Sequence, residues 1–226
     1  MLSSILRNAA TCSQRCSLYL HSPGIVQKEA VGSIISCTPI SSRHISIRIS
    51  ARPYNIAAIQ IYAPTSYHKE VKQFYEQHDS IMAKTPKKDI LIVQGNWNTK
   101  EDPDTYHHWA GTVGRFGIGE TSSRGWRLLG FKKSHRLTLT NTLHPHMLSR
   151  TATWHGPNGQ VHKLRMDFIL TPQQRFKSSL NKANTRSFLG ANAGSDHDLF
   201  FATIKLKLKT KHFMKGPTPS IRFDLA

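Results

Sequence analysis

Four short patches put polar and titratable side chains at or just after apolar runs: Tyr62-Ala63-Pro64-Thr65, Gly95-Asn96-Trp97-Asn98, Met166-Asp167-Phe168-Ile169 and Ser195-Asp196-His197. Asp167 sits inside an apolar stretch, where a carboxylate costs several kcal/mol unless a partner holds it. His197 beside Asp196 is a pairing that sets an imidazole tautomer for proton transfer; after Gly194 it can equally be a capping pair. Tyr62 before Ala-Pro reads as a packed strand end or as a phenol facing a site. Asn98 reads as a turn former or as a donor.

The charge names a class of partner. There are 31 Lys and Arg against 13 Asp and Glu in 226 residues, a net charge of +18. Charged residues make up only 19%, which is a globular composition short of acids and not a polyelectrolyte tail or a coiled coil. Polyphosphate is the usual partner of such an excess, because each neutralised phosphate releases counterions. The alternative is a merely solubilising surface. Lys205, Lys207, Lys209, Lys211 and Lys215 concentrate charge near the end of the sequence. No run approaches the ~20 apolar residues of a membrane helix. Cys12, Cys16 and Cys37 are too few for a disulfide framework, and no His joins Cys12 and Cys16 at zinc-finger spacing, so a reducing compartment is the default.

The length suits one domain. Residues 1–23 contain no acid, two Arg and several Ser, which fits a mitochondrial presequence or an arbitrary leader. Residues 24–208 form the expected domain, and 209–226 a loose basic tail. Within the domain, 44–50 alternates as a strand and 56–62 follows as a second, making a hairpin. Val71, Phe74, Tyr75, His78, Ile81 and Met82 mark one stripe of a helix over 68–84 that Ser66 can cap. Residues 89–95 are a short apolar run, as buried strands are. A glycine-rich loop over 98–125 leads into a short helix over 124–134. Strands are expected over 136–141, 151–154, 166–170 and 201–208, the last edge-like and rich in Lys. Mixed strands with one helical crossover indicate an α/β layered sandwich.

In order, the four patches resemble the endonuclease/exonuclease/phosphatase family, most closely the endonuclease domains of non-LTR retrotransposons. The stretches IQIYAPTS, FYEQHDSIMAKTPKKDILIVQGNWN, GRFGIGETSSRGWRLLGF, NTLHPH, TATWHGPNGQ and GSDHDL carry the resemblance. It implies a four-layered α/β/β/α sandwich, Mg²⁺-dependent phosphodiester cleavage and a nucleic-acid substrate, DNA above RNA. It implies that Tyr62 contacts the scissile phosphate and that Asn98 donates to the phosphate oxygens. Thr153 would anchor a loop near the phosphate. Asp167 would hold His197, which stabilises the transferring group, and Asp196 would lie near the metal. Arg124, Lys163 and Arg165 would flank the substrate. A nuclear location is implied in the same way, with the cytoplasm as the alternative.

Three departures stand against turnover. The family's Gly-Asp-Xaa-Asn motif has Asn96 at the carboxylate position, and an amide cannot accept a proton at neutral pH; losing a general base costs ~10²–10⁴-fold. The family's opening strands, with an active-site Asn and a metal-binding Glu, have no counterpart in residues 1–43, where Glu29 is the only acid. The stretch before Asp167 is one residue longer than in close relatives and brings in Lys163 and Arg165, while Asn192 stands where an acid is expected. The expectation is therefore a catalytically impaired remnant of a Mg²⁺ endonuclease that at most binds nucleic acid. The alternatives are an active endonuclease and a decayed fragment without a stable fold.

Overall fold

The computed structural model describes residues 17–19, 31–65, 68–100, 106–117, 120–154, 164–173, 180–188 and 197–206. The β2–β3 hairpin (Ile34–Ser41 and His44–Ile49) leads antiparallel into β4 (Ile56–Tyr62). Helix α1 (His68–Lys84) crosses over to β5 (Ile90–Asn96), which runs parallel to β4. Helix α2 (Ser123–Ser134) precedes the three-residue β6 (Leu137–Leu139), and β7 (Asp167–Pro172) pairs antiparallel with both β5 and β6. These strands form a six-stranded sheet in the order β2-β3-β4-β5-β7-β6. A second sheet has β9 (Leu199–Leu206) between β1 (Ser17–Tyr19) and β8 (Leu180–Phe188).

Burial on both faces explains why β4 and β5 read as nearly continuous apolar runs. On one face Ile59, Ile61, Val93, Phe168 and Leu170 pack under Phe74 and Ile81 of α1 and Leu128 and Phe131 of α2. On the other, Ile56, Ala58, Ile90, Ile92 and Ile169 meet Phe200 and Ala202 of β9. The chain is thus of the α/β class, and the described residues supply one helical layer and two sheets of the expected four-layered sandwich.

Several expected elements fall where the sequence puts them. The helix over 68–84 and the strand over 56–62 match to the residue, α2 begins one residue early, and β5 is shifted by one. Others differ. β9 is central and not an edge, because β1, inside the segment read as a leader, pairs along one side of it. The alternation over 136–141 yields only Leu137–Leu139, all buried, before a 3-10 turn at Thr140–Thr142. Residues 151–154 contribute only isolated bridges, from Trp154 to Leu164 and to His197. The cap at Ser66, the lysines beyond Leu206 and the tail over 209–226 lie outside the described residues.

Candidate active site between the two sheets

The parallel pair β4 and β5 ends on one rim, and antiparallel β7 begins there; in open α/β sheets such carboxyl ends are where ligands bind. On the face toward the second sheet, side chains become polar as the rim approaches. Along β4 the sequence is Ile56, Ala58, Gln60, Tyr62; along β5 it is Ile90, Ile92, Gln94, Asn96. Gln94 Nε2 donates to Gln60 Oε1 at 2.9 Å, pairing the two amides just below the rim. Beyond them Asn96 lies opposite both Tyr62 and Asp167 in register.

Gly95 makes this close approach possible. Its φ is +133°, and a Cβ there would lie 2.0 Å from the Ile61 carbonyl oxygen. Asn98 also has a positive φ, 47°, which asparagine tolerates. Its backbone N–H donates to Asn96 Oδ1 at 2.7 Å, a side-chain turn, and its Nδ2 donates to the Ala63 carbonyl at 2.6 Å. Asn98 thus forms the turn, and its amide donates to the chain that follows Tyr62.

Asp167 is buried, and its Oδ2 lies 2.7 Å from His197 Nδ1. The carboxylate thus has the partner its burial demands, and it fixes which imidazole nitrogen faces outward. That nitrogen, Nε2, lies 3.4 Å from Asn96 Nδ2. Thr153, also buried, organises the pair. Its Oγ1 accepts the N–H of Met166 at 3.0 Å and of Asp167 at 3.1 Å, and its carbonyl accepts the N–H of Asp198 at 2.9 Å.

Tyr62 is 43% exposed at the mouth, with the Arg43 guanidinium 5.9 Å from its ring centre. Arg43 also lies 3.6 Å from Glu70. Arg124 donates to the carbonyls of Pro64 and Thr65, tying α2 to the loop after Tyr62. Arg165 is placed differently from an open phosphate clamp. It is 5% exposed and donates to the carbonyls of Thr151 at 3.2 Å and Phe116 at 2.9 Å, so it joins two loops. Lys163 and Asp196 lie outside the described residues.

Sequence reasoning missed two residues here. Arg43 sits in the β2–β3 turn with no motif to mark it. Asn141 receives the Ile169 N–H at 2.8 Å and donates to the Asp167 carbonyl at 3.2 Å, so it holds β7 in place; its place in the NTLHPH stretch was the available signal.

Magnesium prefers carboxylate oxygens, one or two from the protein and the rest from water or phosphate. Asp167 Oδ2 already accepts from His197, and Asn96 is a neutral amide whose oxygen accepts from Asn98. Among the described residues no cluster of three or more His, Cys, Asp or Glu could hold an ion. The described rim does not fit the metal that the resemblance implies.

No family model matches the chain. It is 40% identical over 187 residues to craniofacial development protein 2 of Bos taurus, a match covering 82% of this chain and 30% of that protein. The Tragulus javanicus protein of the same name is 39% identical over 187 residues, covering 82% of this chain and 31% of that protein. The chain thus spans about a third of the length of these curated relatives. Among solved structures, the endonuclease domain of TRAS1, a telomere-specific non-LTR retrotransposon, superposes with a TM-score of 0.51 at 18% identity over 74% of this chain and 65% of that one. The chain is therefore a homologue of part of craniofacial development protein 2, and its fold is that of the endonuclease/exonuclease/phosphatase endonucleases.

Proposed function

We propose that this chain binds nucleic acid, DNA foremost, on the rim of a former phosphodiesterase site whose turnover is impaired. The observation that carries the reading is the state of Asn96. It occupies the position facing the His197–Asp167 pair, its oxygen accepts the Asn98 N–H, and it has no proton-accepting capacity. A water at this rim would lack the carboxylate base that the family resemblance implies at position 96. The retained pair still presents a fixed imidazole nitrogen, a group suited to a phosphate oxygen. Tyr62 is exposed at the rim, and Arg124 of α2 is tied to the loop that follows it. The described residues offer magnesium no fitting set of donors.

The second reading, an active endonuclease, is favoured by the Asp167–His197 pair alone. Binding of a labelled DNA duplex as a function of salt tests the proposal. Affinity should fall with a log–log slope of roughly −0.9 per phosphate contacted and show little sequence preference. A folded chain, shown by a cooperative circular-dichroism melt, that binds no DNA at low salt would overturn it. Absence of any cooperative melt would favour the decayed fragment.

A further inference from the structure

The exposed side of α2 carries a feature that the cleft does not use. Trp126 is 51% exposed, a large apolar surface to leave in water. Gly130, one turn on, opens to empty space: a Cβ there would meet nothing within 4 Å. Lys133, seven residues after Trp126, returns to the same face, since i, i+4 and i+7 share a stripe. Trp109 flanks this stripe from the preceding loop. Its ring centre is 6.5 Å from that of Trp126 with the planes tilted by 49°, and Lys133 Nζ lies 5.1 Å from the Trp109 ring. Two indoles and an ammonium thus share one exposed side of the helix, with open space at Gly130 between Trp126 and Lys133.

We infer that this face is a stacking platform for unpaired bases, which takes a single strand of nucleic acid along α2 away from the cleft. Three observations favour that occupant. Helix α2 has no acidic residue from Ser123 to Ser134, so nothing repels phosphate along its length. The indoles supply π-faces on which any base can stack, and Lys133 a point charge beside them, the combination that holds single strands without sequence preference. The helix also starts at the rim of the cleft. Its N-cap Ser122 contacts Thr99 Oγ1 at 3.1 Å, one residue after Asn98, and Arg124 reaches the loop after Tyr62. From Trp126 to Lys133 the helix rises about 10 Å, room for one or two nucleotides. A strand leaving the cleft would meet Trp126 first and Lys133 last.

This inference rests on the nucleic-acid reading of the cleft, and the test separates the two. The probes are a fluorescent twelve-residue oligothymidine and a twelve-base-pair duplex, each titrated with the full chain. Trp126→Ala should weaken oligothymidine binding about tenfold, while Trp126→Phe retains most of it. Duplex binding, which the cleft supplies, should change less than about twofold in both variants. Lys133→Gln should shallow the oligothymidine salt slope by roughly 0.7, one phosphate. Unchanged oligothymidine binding by Trp126→Ala, with duplex binding intact, would overturn the platform and leave the cleft reading standing. Loss of self-association in Trp126→Ala without a change in oligothymidine binding would also overturn it, by marking the face as a protein contact. Failure of the parent chain to bind either probe would overturn both readings.

Discussion

Thr153 receives the backbone N–H of Asp167 at 3.1 Å on its side-chain oxygen, and through its carbonyl it also holds Asp198, the neighbour of His197. One threonine thus sets the position of both members of the pair at the rim. Thr153→Val keeps the shape and removes the acceptor, leaving the N–H groups of Met166 and Asp167 without it. The expected loss is about 1–3 kcal/mol, read from urea denaturation, with Thr153→Ser near the parent. Equal stability of the Val and parent chains would show that Thr153 does not organise this end of β7.

The sequence was most legible where burial imposes a pattern. The continuous run over 56–62 and the stripe from Val71 to Met82 pack against the sheet's helical face or the second sheet, so their periodicity survives in the residues. β2 was not legible. Residues 35–40 are exposed, so no alternation is imposed, and Pro39 interrupts the run. β8 lacks an apolar pattern as well, and no strand was expected over its residues LNKANTRSF. Tyr62, Asn96, Asn98, Asp167 and His197 lie on the described rim, whereas Arg43 beside the Tyr62 ring and Asn141 within the NTLHPH stretch were not singled out. The burial of Arg165 was invisible because charge alone says nothing about which carbonyls a guanidinium reaches.

Two buried histidines should make stability depend on pH. His44 of β3 and His78 of α1 stack at 5.3 Å, with Phe74, Trp97 and Phe131 around them. Burial is the main cause that lowers the pKa of His44 to about 4, aided by Arg43 and opposed by Gln77. Burial likewise lowers that of His78 to about 3, aided by the charge on His44 and on His135. Both pKa values are depressed on folding, so below about 6.5 the unfolded chain binds protons that the folded chain refuses. Stability should be full above that pH and fall progressively as pH drops toward 4. Thermal melts of the parent and of His78→Phe from pH 7.5 to 4.5 should show a shallower decline in the variant. Identical slopes would contradict this origin.

Gly95 should tolerate no side chain. The clash with the Ile61 carbonyl is with backbone, and the positive φ adds strain, so Gly95→Ala should cost about 3 kcal/mol or more. Gly32→Ala, where a Cβ meets nothing within 4 Å, is the matched control and should stay within about 0.5 kcal/mol of the parent. Similar melting temperatures for the two variants would show that β5 can move away from β4 at no cost.

Relaxation of supercoiled plasmid in Mg²⁺ buffer probes the proposed loss of hydrolytic chemistry at an intact rim. The chain should be compared with His197→Ala and Asn96→Asp. The parent should nick no faster than His197→Ala. Asn96→Asp should add little, since one restored carboxylate would face a rim whose other described carboxylate, Asp167, already accepts from His197. Robust nicking by the parent that disappears in His197→Ala, or strong Mg²⁺-dependent nicking by Asn96→Asp alone, would contradict the account.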